Sequence, residues 1–310
     1  MRIVVMGAGG TGGYFGAKLA RAGLDVTFVA RGAHLAAIRE RGLCVKSAVE
    51  GEFVVRPPAL DRLDGESAAD LVLFCVKSFD TESAAAIIRP VVGPETAILS
   101  IQNGVVNEDV LTGLFGPRHV IGGVAQVFAT IEAPGIIKHV LLGRLLVGEM
   151  DGADSERVRA FLAACERAGI PAEPSLRITR TLWEKYVLLA AQSGMTALTR
   201  RPVGVLRRIP ETRAMYRRLL EEMGALAAAV GAGLDTSYPD TCMTLIDALG
   251  PGAYSSLHHD LVHGKRLELE AIHGYAVRLA KRHGIATPML EAVYAALRPY
   301  VDGPPALATR

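Results

Sequence analysis

Six residues near the start of the chain, Gly7-Ala8-Gly9-Gly10-Thr11-Gly12, have the types and spacing of a phosphate cradle. In G-x-G-x-x-G the first glycine permits a tight turn, the second lets a pyrophosphate approach the backbone, and the third lets helix and strand pack closely. A helix beginning there offers unpaired N–H groups and partial positive charge to the phosphates. Glycines occur in many short turns, so context decides: the apolar run MRIVVM precedes the loop, and a helical stretch and a second strand follow it. A site for NAD usually carries an acid at the end of that second strand, for the ribose 2′-hydroxyl. This chain has Ala30-Arg31-Gly32. A guanidinium there pairs bidentately with a 2′-phosphate, so the expected cofactor is NADP(H), held by Gly7, Ala8, Gly9, Gly10, Thr11, Gly12 and Arg31. A solvated loop arginine is the plainer alternative.

A second set of candidates lies much later. Lys185, Leu189, Ser193 and Thr196 recur at helical spacing, with Gln192 at the edge of their face. Partial burial would lower the pKa of such a lysine and make it a proton donor. A surface lysine lying along apolar neighbours gives the same pattern, and periodicity alone favours it. Tandem serines such as Ser255-Ser256 are commonly helix caps, and Glu268 by itself reads as a solvated helix residue. His259 and His263 could share a zinc ion at i, i+4. Asp260 stands where a metalloprotease motif has glutamate, however, and no third ligand is suitably spaced, so no metal is expected.

Composition bounds these readings. At 310 residues the chain suggests two domains, and 50% hydrophobic with 21% charged residues is ordinary for a globular protein. A net charge of +2, with no dense basic run, argues against nucleic acid as partner. Cys44, Cys75, Cys165 and Cys242 lie far apart without a CxxC pair, as reduced thiols do. With no signal-peptide pattern and no uninterrupted apolar span, a cytoplasmic protein without membrane partners is expected.

The elements that must position these residues follow from periodicity. Strands are predicted over 1–6, 25–30, 70–76 and 97–101, with helices over 14–22, 33–41 and 81–88 between them. Short β-type runs at 43–45 and 53–55 flank a Glu50-Gly51-Glu52 turn. Hairpin-like runs over 120–148 would extend the sheet, and a helix over 155–168 ends at Gly169 with Pro171 beyond. Alternating strands and helices imply a parallel, doubly wound α/β sheet of Rossmann type, with ligands beyond the strands' C-terminal ends. Lys77 and Asn103 fall at that rim. After a boundary near residue 174 the chain reads as a C-terminal all-α domain, 175–310, with helices over 179–198, 210–230, 238–248, 267–283 and 288–298. Its apolar helical faces after residue 210 leave room for a homodimer, and the tail 302–310 is predicted to be disordered.

In this order and spacing, Gly7-Ala-Gly-Gly-Thr-Gly12, Arg31, Val76-Lys77, Gln102-Asn103-Gly104, Leu182-Trp183-Glu184-Lys185, Leu198-Thr199, Ser255-Ser256, Glu268 and His283-Gly-Ile-Ala-Thr-Pro288 resemble the ketopantoate reductase (2-dehydropantoate 2-reductase) family over essentially the whole chain. The resemblance implies NADPH-dependent reduction of a small 2-oxo acid in a cleft between a Rossmann domain, 1–174, and a helical domain. It implies that Lys185 donates a proton to the ketone oxygen and that Glu268 accepts from the product hydroxyl and holds Lys185. Ser256 would bind the substrate carboxylate, Asn103 substrate or nicotinamide, and Lys77 would lie beside the cofactor. Where the family usually presents asparagines, this chain has Leu189, Ser193 and Ala253. Ser193 is then the polar substrate contact left at those positions, and a different branched or hydrophobic 2-oxo acid becomes an alternative substrate. A non-catalytic NADP(H)-sensing protein is the third reading, against which the retained Lys185 and Glu268 argue.

Overall fold

The computed structural model describes residues 1–303; the tail beyond residue 303, predicted to be disordered, lies outside the described residues. Contacts divide the chain into two units, Met1–Gln102 with Asn107–Thr181, and Asn103–Val106 with the chain from Leu182 onward. No helix among the described residues is long and apolar enough to cross a membrane, and all four cysteines are free.

The first unit is built on one ten-stranded sheet. Its strands are β1 (Arg2–Met6), β2 (Asp25–Val29), β3 (Leu43–Ser47), β4 (Gly51–Val55), β5 (Ala59–Leu60), β6 (Leu71–Phe74), β7 (Ala97–Ser100), β8 (Val120–Ala133), β9 (Ile136–Glu149) and β10 (Ala172–Pro174). They run in the order β4-β3-β9-β8-β7-β6-β1-β2-β5, with β10 beside β9. Helices α1 (Gly10–Arg21), α2 (Gly32–Arg41), α3 (Thr81–Ile88), α4 (Asn107–Phe115) and α5 (Glu156–Arg167) cover it. Successive strand residues point to opposite faces. Ile3 and Val5 of β1 therefore join one core with α1, α2 and α5, while Val4 and Met6 join another with α3 and α4.

Two expectations change here. The sheet is mixed rather than parallel: β8 and β9 pair antiparallel around Pro134-Gly135, and the antiparallel hairpin β3–β4 sits on the far side of β9. The first helix starts at Gly10, not near residue 14, because the loop glycines themselves form its opening turn. At its other end Lys18, 3% exposed, donates to Glu50 Oε1 at 2.6 Å and to Gly169 O at 2.8 Å. A buried ammonium must be paired, so these bonds fix α1 against both the β3–β4 turn and the end of α5.

The second unit is helical. Helix α6 (Ile178–Thr199) leads into it, followed by α7 (Val203–Leu206), α8 (Pro210–Ala229), α9 (Tyr238–Ala248), α10 (Ser256–Val262), α11 (Tyr275–Arg282) and α12 (Pro288–Leu297). Trp183, Tyr186, Val187, Tyr216, Met223, Ile246 and Val293 contribute to one core. The helix expected over 267–283 is not a single α-helix: Glu270–Gly274 forms a π-helical turn before α11 begins. Such turns concentrate at functional sites.

Candidate functional site

The chain enters the sheet at β1, moves to β2 on one side, and later crosses to β6 on the other. Strand order therefore reverses at β1, and the region beyond its C-terminal end is where open α/β sheets bind ligands. The glycine loop lies there. Gly7 adopts φ +100°, and the amides of Gly7 and Ala8 both donate to Val29 O, at 3.1 and 3.2 Å. A Cβ on Gly10 would stand 2.1 Å from Ala129 O, and one on Gly12 2.2 Å from Gly7 O. Those two glycines are required by the protein's own packing. A Cβ on Gly9 would meet nothing within 4 Å, which leaves this backbone open to a ligand. Gly9 caps α1 without a side-chain bond, and no acid occupies the first turn, so the helix terminus presents its amides and positive end to an anion.

The rest of this rim can be placed residue by residue. His34 Nδ1 accepts from Gly135 N at 3.0 Å, so its Nε2–H donates to Ala8 O at 2.8 Å and pins the loop. Burial holds the His34 pKa below its usual value, which keeps the ring neutral for both bonds. Arg31 precedes α2, is 82% exposed, and donates to Asp80 Oδ2 at 2.7 Å. Lys77 is half-buried just before the short turn that leads into α3. Gln102, beyond β7, donates from Nε2 to Val76 O at 3.0 Å and to Thr81 Oγ1 at 2.9 Å. Its Oε1 is thereby fixed, buried and without a hydrogen-bond partner. The bare Gly9 backbone and this orphaned acceptor suit a dinucleotide with a carboxamide to donate. Thr11 lies in the first turn of α1.

Asn103, half-buried, belongs by its contacts to the second unit, where Val105 packs on the helical core. Lys185 is half-buried on α6. Glu268 is only 5% exposed, unlike the solvated helix residue its sequence suggests. Two hydrogen bonds join the stretches that carry them. The Tyr186 hydroxyl donates to Ile272 O at 2.6 Å, and His273 Nε2–H donates to Ala190 O at 3.0 Å. His273 is fully buried, and burial pushes its pKa down to about 4. A Cβ on Gly194 would stand 2.9 Å from His273 Nε2, so α6 needs a glycine where the imidazole crosses it.

The tandem serines separate into two tasks. Ser255 is the buried cap of α10, accepting from His258 N at 3.1 Å. Thr196 Oγ1 gives its proton to Gln192 O, so at 2.7 Å it accepts from the Ser255 hydroxyl, whose one proton is thereby committed. Ser256 is exposed at the start of α10. Ser193 is fully buried, its hydroxyl 3.4 Å from Ala190 O. His263 Nδ1–H donates to His259 O at 2.7 Å.

Sequence reasoning gave no role to Gln102, His34, Asp80, Tyr186 or His273, although Gln102 stands in one of the matching stretches. Gln102 adjoins Asn103 and could have been found at the strand end. Nothing in the sequence marks the other four, whose partners are backbone groups or a charge far along the chain.

Comparison with known proteins adds an independent line. The profile of "Ketopantoate reductase PanE/ApbA" matches residues 3–152, and that of its C-terminal region matches residues 177–301. The 2-dehydropantoate 2-reductase of Halobacterium salinarum is 32% identical over 295 residues, spanning 94% of this chain and 96% of that protein. The uncharacterized oxidoreductase YkpB of Bacillus subtilis is 29% identical, spanning 97% and 99%. The crystal structure of 2-dehydropantoate 2-reductase from Geobacter metallireducens superposes with a TM-score of 0.90 at 33% identity, covering 96% of this chain and 99% of that one.

Proposed function

Since the chain belongs to the ketopantoate reductase PanE/ApbA family, we propose that it is an NADPH-dependent reductase of 2-dehydropantoate. The observation that supports this reading is the presence, in one helical unit, of a half-buried lysine and a buried carboxylate: Lys185 on α6 and Glu268 before the π-helical turn. Bound NADPH would supply hydride to the ketone carbon. Lys185 Nζ donates the proton that the developing alkoxide needs, and its positive charge stabilises that oxygen more in the transition state than in the ketone. Glu268 accepts from the product hydroxyl and orients the ammonium. Ser256 holds the substrate carboxylate, with Asn103 as a further contact; Ser193, expected from the sequence to be another, is fully buried with its hydroxyl toward Ala190 O. Gly7, Ala8, Gly9, Gly10, Thr11 and Gly12 hold the pyrophosphate, Arg31 the 2′-phosphate, and Lys77 the neighbouring phosphate or ribose oxygens.

A second substrate reading has its own observation. Leu189 and Ala253 pack against the helical core as apolar side chains, and the Ser193 hydroxyl is turned to its own helix. A pocket with fewer polar partners favours a branched or hydrophobic 2-oxo acid over one with a distal hydroxyl.

The test follows NADPH absorbance with purified protein against ketopantoate, 2-oxoisovalerate and longer 2-oxo acids. Ketopantoate should have the highest kcat/KM; a hydrophobic 2-oxo acid ahead of it transfers the assignment to the second reading. Lys185→Ala should lower kcat by roughly 10²–10⁴-fold with cofactor affinity nearly unchanged. An unchanged kcat removes Lys185 as the acid.

A further inference from the structure

The end of β2 carries Arg31 and the segment after β6 carries Asp80, while β1, with the glycine loop at its end, lies between those strands. Strands on either side of a third are roughly 10 Å apart. The 2.7 Å ion pair between Arg31 and Asp80 therefore spans the mouth of the loop. Its two members are unequal. Arg31 is 82% exposed and the Asp80 side chain 23%, so the carboxylate is the fixed partner and the guanidinium the one free to swing.

Asp80 also occupies the cap position of α3, where an aspartate ordinarily accepts from the amides of the first turn. It makes no such bond; its carboxylate is committed instead to an arginine 49 residues away. Building on the reading that the cofactor's adenosine lies at Arg31, we propose that Asp80 sets the discrimination between NADPH and NADH. Arg31 can turn toward a 2′-phosphate, but that phosphate arrives beside a carboxylate that stays in place. An unphosphorylated ribose presents a 2′-hydroxyl, for which the same carboxylate is an acceptor. Holding an arginine that is mostly in water contributes little, because solvent screens the pair. Repulsion between a carboxylate and a phosphate dianion acts whenever NADPH is bound. The net role of Asp80 is thus to restrain the NADPH preference that Arg31 creates and to admit NADH.

Fluorescence titration of the dihydronicotinamide measures this on the whole protein without any substrate. Asp80→Asn should lower the Kd for NADPH about fivefold and leave that for NADH no tighter, with the gain shrinking as salt rises to about 0.5 M. Asp80→Ala, which removes the acceptor as well, should raise the Kd for NADH about threefold. The substituted proteins should melt as the parent does, since no cap bond is lost. If Asp80→Asn leaves the ratio of the two Kd values within about twofold of the parent's, or shifts it toward NADH, the proposal is overturned. Arg31→Ala distinguishes the two levels. A collapse of NADPH affinity in that variant with no response to Asp80→Asn keeps NADP(H) as cofactor and removes Asp80 alone. NADPH affinity unmoved by Arg31→Ala removes the NADP(H) reading and Asp80 with it.

Discussion

The glycine loop of the first unit is made of backbone. Its amides bond to Val29 O, its glycines are excluded from bearing side chains by Ala129 O and Gly7 O, and its one open position, Gly9, is open because no side chain is there. The Lys185 region of the second unit is made of side chains reaching between elements, Tyr186 to Ile272 O and His273 to Ala190 O, all in the buried core. A backbone site depends on residue types in sequence neighbours, whereas a side-chain clamp depends on partners about eighty positions away. The first kind is destroyed by adding atoms, and the second by removing a donor or charging it.

Adding atoms at Gly12 should have the largest effect. The Cβ of Gly12→Ala would lie 2.2 Å from Gly7 O and 2.9 Å from Cys75 Cβ, and neither neighbour is the end of a flexible side chain. We expect a loss of about 3 kcal/mol in denaturant unfolding, at the upper end for overpacking, together with loss of dinucleotide binding. A variant that binds normally would mean that the loop yields, and the contrast with the second unit would disappear.

Charging a donor is the corresponding break in the helical unit. The His273 pKa is about 4 in the folded protein against 6.5 unperturbed, so the unfolded chain takes up a proton first as pH falls. The stability contributed by the neutral ring is complete above about pH 6.5 and is lost progressively toward about pH 4, roughly 3 kcal/mol in all. Unfolding free energies measured across this window should show that slope, and His273→Gln should flatten it; an unaltered slope in the variant assigns it to other groups. Removing a donor is milder. Tyr186→Phe leaves Ile272 O without its 2.6 Å partner in the core, at a cost of about 1–2 kcal/mol. Because Tyr186 adjoins Lys185, kcat should fall severalfold while cofactor Kd holds, and an equal change in both would make the tyrosine merely structural.

The same contrast explains what could be read in advance. The strand, glycine loop and helix at the start, the apolar runs of β6 and β7, and the helices after residue 175 all write their structure in local period and punctuation. The mixed sheet was half legible: the runs of β8 and β9 were evident, but not that the β3–β4 hairpin would dock beyond β9 rather than beside β2. The strand β10 was hidden behind Pro171, read as part of a helix stop, and it ends in a second proline, Pro174, which an edge strand tolerates. The π-helical turn has no propensity signature, since 270–274 fits an α-helical period; both bonds to α6, from Tyr186 to Ile272 O and from His273 to Ala190 O, are made within the deviation itself. Glu268 was likewise unreadable: a glutamate in a helical stretch reads as solvated, and only the fold shows it 5% exposed.

The smallest structural change sharpens the comparison most. Gly9 has φ −70° and ψ −166°, an extended conformation open to alanine, and its Cβ would meet no atom within 4 Å. Gly9→Ala should therefore alter stability by no more than about 0.5 kcal/mol, with a slightly poorer helix cap set against a less flexible unfolded chain. If the space over Gly9 is where the pyrophosphate meets the backbone, the added methyl should nevertheless raise the cofactor Kd by about tenfold. Gly12→Ala would then lose fold and ligand together, and Gly9→Ala the ligand alone. Titration of both variants with NADPH, beside their unfolding curves, separates the glycines that the fold requires from the one that the ligand requires. Unchanged binding in Gly9→Ala would place the pyrophosphate elsewhere along the α1 terminus.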